Sequence, residues 1–473
     1  MVTCFAFRRR GVHHSASGVW LVHRTLIRAF ESGVKRRRTF ALLGDLEASQ
    51  WLGPDELRAR QAAAARDLLR HAQRHCSYYR DRWREAGLDA DGLRSIDDIR
   101  RWPAVDRETF GAQASGLRAD APGLTRIRKA TGGSTGRPLQ FELDSGSNDR
   151  RVAATFRGYA WAGAGPGTRQ MHLWGTALGR PPARLRLKTR LYEWMYNRRV
   201  LNAFGLSDAS AAAYVRAGNE FRPEVIVAYA NALYAFARSI EEQGLRPASP
   251  RSIVVGAEKL HAFQRELIER VFAAPVFETY GSREFMLMAA QCERRQGLHV
   301  TAEHLIVEVV DDDGQPVPDG TEGRVVVTDL FNYAMPFVRY ANGDRAVAGG
   351  RCECGRGLPL LAEVVGRQAD ILTTPDGRHV SGLYFPHLLK DFPAVRRFQV
   401  VQETLDEVLL KLEAPSASAE DVARITALAE PVLGPRVRFR VEKVDSIPLS
   451  PAGKLQVVVN RVDRPADHGA SRG

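Results

Sequence analysis

Lysine is scarce in this 473-residue chain: of 68 basic residues only eight are lysine, at positions 35, 129, 188, 259, 390, 411, 443 and 454. One of these eight lies in the loop-forming stretch Ile447-Pro-Leu-Ser-Pro-Ala-Gly-Lys454. There a compact ammonium on a flexible stem differs in kind from the planar guanidinium used almost everywhere else. Long apolar runs are also missing. Ile253–Val255 and Val325–Val327 have the length of a buried strand, well short of the ~20 apolar residues of a membrane span. A soluble protein is expected. Cysteine is sparse, five residues (4, 76, 292, 352 and 354) in a long chain. Since no apolar signal segment is read before them, a reducing compartment, the cytoplasm, is expected rather than a disulfide scaffold.

Acidic residues are outnumbered, 55 against 68, but the excess is local. Residues 1–40 hold nine Arg and Lys and one acid, Glu31, which accounts for +8 of the +13 net charge. So uneven a distribution argues against nucleic acid as a partner of the chain as a whole. The segment 1–46 is expected to be a loosely ordered basic leader, with peripheral contact to an anionic membrane as its alternative use.

Apolar residues at 44% and charged residues at 26% indicate a globular chain, and its length calls for more than one core. Residues 53–86 read as helical, opened by Pro54-Asp55-Glu56. From about 220 short apolar strands alternate with helices: 224–228, 231–243, 252–255, 260–272 and 275–279. That rhythm gives an α/β fold with a doubly wound parallel sheet. Paired strands follow at 305–310 and 323–328 across Asp311-Asp-Asp-Gly314, a β-hairpin subdomain. Beyond Gly366 the pattern hairpin, helix (419–433), strand (437–441) makes a small α+β domain. The expected division is a leader (1–46), a large domain (47–366), a small mobile domain (367–463) and a tail (464–473).

The segment Thr131-Gly-Gly-Ser-Thr-Gly136 packs three glycines and three hydroxyls into six residues. Thr131, Gly132, Gly133, Ser134, Thr135 and Gly136 can turn backbone N–H groups and hydroxyls toward an anion. No Gly-Lys-Ser/Thr follows, and residues 139–143 read as a strand, so this is not a Walker A loop. Taken alone it is an ordinary loop. It is followed in order by Val255-Gly-Ala-Glu258, Glu278-Thr-Tyr-Gly-Ser-Arg-Glu284, Arg339-Tyr-Ala-Asn-Gly-Asp344, Val365-Gly-Arg367 and Pro448-Leu-Ser-Pro-Ala-Gly-Lys454.

With those residues in place the chain resembles the adenylate-forming superfamily of acyl-CoA synthetases and adenylation domains. The nearest likeness is to the phenylacetate–CoA ligase branch and its capsule-polysaccharide-associated relatives, from about Glu47 to Val462. The resemblance implies an ATP-dependent, AMP-forming ligase that makes an acyl-AMP and passes the acyl group to coenzyme A. It implies that the 131–136 loop holds the β/γ-phosphates and that Gly256, Ala257, Glu258, Tyr280, Gly281 and Ser282 border the nucleotide. Glu284 would be the Mg²⁺ carboxylate, Asp344 the ribose acceptor, Arg367 a basic neighbour of the sugar, and Lys454 the catalytic lysine. The chemistry agrees: an ammonium stabilises charge built up at the α-phosphorus, and a hard cation needs an oxygen anion. Ala369 stands where the family's hinge segment carries its first Asp.

Cys292, His299, Cys352 and Cys354 offer three thiolates and an imidazole, a set suited to a closed tetrahedral Zn²⁺, although the spacing is not that of a zinc finger. The alternative is four unrelated residues. By position in the family, Tyr159, Trp161, Trp174, Tyr229 and Tyr234 are candidates for the acid pocket, whose substrate stays open between aryl, fatty and sugar acids. Two other functions stay open: adenylation with delivery to an amine, hydroxyl or carrier in surface-polysaccharide synthesis, and a catalytically silent binding component. A homodimer is a further expectation.

Overall fold

The computed structural model describes residues 18–131, 139–175, 183–203, 206, 208–367, 371–375, 379–381, 384–389, 392, 394–448 and 455–462. Helix α1 spans Gly18–Ala29 and α2 Thr39–Ser49, joined by a wide turn at Phe30–Val34. The expectation of a loose leader is corrected over residues 18–46. Glu31 is 1% exposed there and gathers Lys35 Nζ at 2.9 Å, Arg37 at 3.2 Å and the Tyr196 hydroxyl at 2.5 Å. A single acid amid basic residues thus becomes the hub that orders them.

Helix α3, Pro54–His75, has Pro at its first turn, Asp55 and Glu56 beside it and Arg74 and His75 in its last turn, as the helix dipole favours. It buries Leu57, Ala65, Leu68, Leu69 and Ala72. The extended backbone of Cys76 ends it and starts α4, Ser77–Glu85, so the helical stretch read over 53–86 is two helices.

Strands β1 (Arg126–Ala130) and β2 (Gln140–Asp144) are antiparallel, pairing Lys129 with Phe141 and framing the Gly/Ser/Thr segment. The Asp144 carboxylate caps α5, Ser145–Trp161. Then follow β3 (Gln170–Trp174), α6 (Ala183–Met195), β4 (Arg198–Asn202), α7 (Asp208–Phe221), β5 (Val225–Tyr229), α8 (Ala230–Glu242), β6 (Ser252–Gly256), α9 (Ala262–Phe272) and β7 (Val276–Ser282). The order β4-β3-β5-β6-β7 is parallel throughout. Every residue of β5 and β6 is buried, because helices cover both faces.

The same sheet continues antiparallel through β8 (Met286–Gln291), β9 (Leu298–Val300), β10 (Leu305–Val310), β11 (Glu322–Asp329), β12 (Tyr340–Gly349) and β13 (Leu360–Arg367). The small unit holds β14 (Arg397–Thr404) antiparallel to β15 (Glu407–Glu413), then α10 (Ala419–Leu433), β16 (Arg438–Lys443) and β17 (Val458–Asn460). Ser418 and Asp421 close a capping box at the start of α10. Leu372, Phe385, Val400, Leu410 and Ile425 belong to a separate core there.

Candidate active site

Glu284 follows β7 in a tight turn whose next residue, Phe285, is fully buried among Phe337 and Tyr340. That anchor holds the Glu284 carboxylate in the interior, 4% exposed. Arg107 Nη1 donates to its Oε1 at 3.0 Å, while Nη2 of the same guanidinium donates to Thr131 Oγ1 at 2.6 Å. The two branches of one Arg therefore join the expected metal carboxylate to the first residue of the expected phosphate loop. Arg107 opens a short helix pinned by Phe110, which stacks on Phe337 at 4.3 Å. Thr131 also closes the mouth of the loop: its N–H donates to the Leu139 carbonyl, and its hydroxyl accepts from the Leu139 N–H, both at 2.9 Å.

Tyr280 and Asp344 sit on different strands and meet, the phenol donating to Asp344 Oδ2 at 2.7 Å. Asn342 Nδ2 donates to both, at 2.8 Å each. The result is a buried polar triangle across β7 and β12, and Asp344 is paired in register with Arg367 of β13. Two glycines let β7 lie close to its neighbours β8 and β6. A Cβ on Gly281 would stand 2.0 Å from the Met286 carbonyl oxygen, and one on Gly256 would stand 2.5 Å from Thr279 Oγ1.

Ala257 turns the chain after β6 with φ of +68°. Glu258 then accepts the Asn231 N–H at 2.9 Å, at the N-terminus of α8. The Ser282 hydroxyl accepts the Phe285 N–H at 3.3 Å, a turn-closing contact. Gly132, Gly133, Ser134, Thr135, Gly136, Ala369, Lys454 and the side chain of Arg367 lie outside the described residues.

The aromatic candidates separate. Trp174 and Tyr229, at the C-terminal ends of neighbouring parallel strands, have ring centroids 4.1 Å apart, and Tyr159 packs into the same apolar cluster. Strand C-termini are where α/β sheets bind ligands. Trp161 lies elsewhere, donating to Gln50 Oε1 at 2.9 Å and packing on His299. Tyr234 packs against Phe263 on the helical surface. These two do not join Trp174 and Tyr229.

Cys292 follows β8, His299 lies in β9, and Cys352 and Cys354 occupy the β12–β13 turn. All four ligand atoms lie within 4.8 Å of one another. Cys292 Sγ and Cys352 Sγ are 3.7 Å apart, and Cys354 Sγ is 3.3 Å from His299 Nε2. A tetrahedron with Zn–S of about 2.3 Å and Zn–N of about 2.0 Å has edges of roughly 3.5 to 3.8 Å, close to these two separations. Burial pushes the Cys292 thiol up to about 12 and His299 down to about 4. A neutral imidazole is the form that ligates. The N–H groups of Arg294 and Arg356 point at Cys292 and Cys354 at 3.4 and 3.5 Å, the outer contacts a thiolate accepts.

Arg107 and Asn342 are the residues the sequence reading missed. A lone Arg in an Arg-rich chain carries no signal, and Asn342-Gly343 reads as a turn.

Known proteins resemble this chain in sequence and in fold. Residues 372–461 match the family described as the CapK C-terminal domain. The phenylacetate–coenzyme A ligase of Thermus thermophilus is 29% identical over 378 residues, covering 76% of this chain and 82% of that one. That of Escherichia coli is 26% identical over 67% of this chain and 72% of its own. Protein CapK of Staphylococcus aureus is 22% identical over 71% and 74%. The crystal structure of 2-hydroxyisobutyryl-CoA ligase in its postadenylation state superposes with a TM-score of 0.65 at 21% identity, covering 85% of this chain and 88% of that one. The resemblance carried by the ordered motifs thus extends to most of the sequence and to the fold.

Proposed function

We propose that this chain, a homologue of phenylacetate–coenzyme A ligases and of CapK with the fold of adenylate-forming ligases, is an ATP-dependent, AMP-forming carboxylate–coenzyme A ligase. The observation that carries the reading is the Glu284–Arg107–Thr131 link, which brings the carboxylate and the phosphate-loop threonine into one hydrogen-bonded unit. Among these relatives the names of four state the acid and coenzyme A together. An aryl acid fits the paired rings of Trp174 and Tyr229.

In this reading Glu284 supplies the anionic oxygen for Mg²⁺, which when bound would offset phosphate charge. Thr131 and the glycines after it direct donors to the phosphates. Asp344, oriented by Tyr280 and Asn342, accepts the ribose hydroxyls, with Arg367 beside it. Lys454 brings its ammonium to the α-phosphorus as the acid's carboxylate attacks and pyrophosphate leaves. Cys292, His299, Cys352 and Cys354 would hold a structural Zn²⁺, which would tie the β12–β13 turn to β8 and β9. Among the described residues the four cysteines form no disulfide, which suits the cytoplasm.

The CapK match over residues 372–461 also allows a second reading, in which the acyl-AMP goes to an amine, hydroxyl or carrier instead of coenzyme A. Pyrophosphate release across a panel of acids, with and without coenzyme A, separates the two. An acyl-CoA product supports the first reading, adenylation with no thioester supports the second, and no release with any acid opposes both.

A further inference from the structure

Helix α6 stands out from the body of the protein, with residues 184–191 exposed in succession. At 100° per residue Leu187, Leu191 and Trp194 form one stripe, and they are 70%, 61% and 59% exposed. Arg186 and Arg190 flank the stripe on one side, Arg184 and Lys188 on the other. The opposite face carries Tyr192, which packs on Phe30 at 5.3 Å and stacks on Tyr196 at 5.6 Å, so the apolar stripe points away from the protein. The one acid of the helix, Glu193, is half-buried on that inner side.

Helix α1 extends the surface. His23 packs on Trp194 at 5.8 Å, and its ring nitrogen lies 3.2 Å from the Met195 carbonyl. Val19, Leu21 and Val22 are each more than half exposed, and the helix carries Arg24 and Arg28 with no acid. Helix α6 thus presents leucine and tryptophan between two rows of cations, and the touching α1 adds exposed Leu21 and Val22 with Arg28 to one side. No described helix is long and apolar enough to cross a bilayer.

We propose that α6 and α1 form a platform that seats the protein on the surface of an anionic phospholipid bilayer. Buried leucine and tryptophan side chains supply the apolar part, and the flanking Arg and Lys side chains reach back to lipid phosphates. Charge decides between this and other occupants. A second copy would set four cations of α6 against the same four, and a nucleic acid would leave the leucine stripe without an apolar partner.

The test is co-sedimentation of the full chain with vesicles of phosphatidylcholine, with and without phosphatidylglycerol. The chain should bind only the anionic vesicles and release in high salt. Two doubly substituted variants, Leu187→Ser with Leu191→Ser and Arg184→Glu with Lys188→Glu, should each weaken binding about tenfold or more. Their circular dichroism and melting should match the parent, because these side chains are exposed. Failure of the parent to bind anionic vesicles overturns the proposal. So does binding unchanged in both folded variants, which would place contact in the basic residues before Gly18. Concentration-dependent self-association abolished by the leucine substitutions would also overturn it, since the face would then be an interface between copies.

Discussion

Arg107 Nη1 lies 3.0 Å from Glu284 Oε1, and nothing in the spacing of those residues, 177 positions apart, announces the contact. Arg107 is the one described residue that hydrogen-bonds to both Glu284 and Thr131. Arg107→Met should leave a buried carboxylate without its cation and take from the Thr131 hydroxyl one of its two donors, the Leu139 N–H remaining. Unfolding free energy should fall by about 1–3 kcal/mol, given that the guanidinium is partly solvated. The KM for ATP should rise about tenfold or more, measured by pyrophosphate release. Arg107→Lys, with one donor centre for two acceptors, should recover part of the stability and little of the KM.

Tyr280→Phe removes the hydroxyl that donates to Asp344 at 2.7 Å and accepts from Asn342 at 2.8 Å. Asp344 keeps the Asn342 amide, so the expected cost is about 1–2 kcal/mol in urea unfolding. If the triangle orients Asp344 toward ribose, KM for ATP rises more than kcat falls. Equal KM with a lowered melting point would make the triangle purely structural.

Purified protein should carry close to one equivalent of zinc, retained through dialysis. Cys354→Ser and Cys292→Ser should lower zinc content and melting temperature together, because both remove a ligand from one closed set. Full zinc retention in either variant contradicts the assignment.

His304 is buried, His172 is half-buried, and both are shifted toward the neutral form. Burial lowers His304 to about 4, opposed by Asp329, and His172 to about 3. A histidine whose folded pKa lies below its unfolded value of roughly 6.5 binds its proton more readily when unfolded. Stability is then fullest above pH 6.5 and falls as pH drops toward 4. His304 alone should account for about 2 kcal/mol lost between pH 7 and pH 5. Urea unfolding at the two pH values measures it, and His304→Phe should flatten that part of the profile.

What the sequence made legible follows from where the physics is local. Strands β5 and β6 were readable because helices cover both faces, leaving Val225–Ala228 and Ile253–Val255 as unbroken apolar runs. Helix α10 was readable to its ends because Ser418 and Asp421 mark its start and Gly434 its stop. Helices α1 and α2 were not, since their order depends on Glu31 collecting Lys35 and Arg37 locally and Tyr196 from 165 positions away. The fully buried ion pair of Arg151 with Asp329 likewise links residues 178 apart and left no mark in either segment. Of the site, residues set in glycine-rich ordered motifs were named from sequence. Arg107 and Asn342, whose roles arise only from packing, were not.

The central claim rests on acyl-AMP formation, and Lys454→Ala tests it most directly. Pyrophosphate release should be measured for the parent chain and this variant across a panel of aryl, fatty and sugar acids, with and without coenzyme A. The parent should release pyrophosphate with at least one acid, and the variant should lose at least about a hundredfold. Matched circular dichroism spectra and melting temperatures should accompany that loss. Equal release by the two proteins, or no release by the parent with any acid, would contradict it.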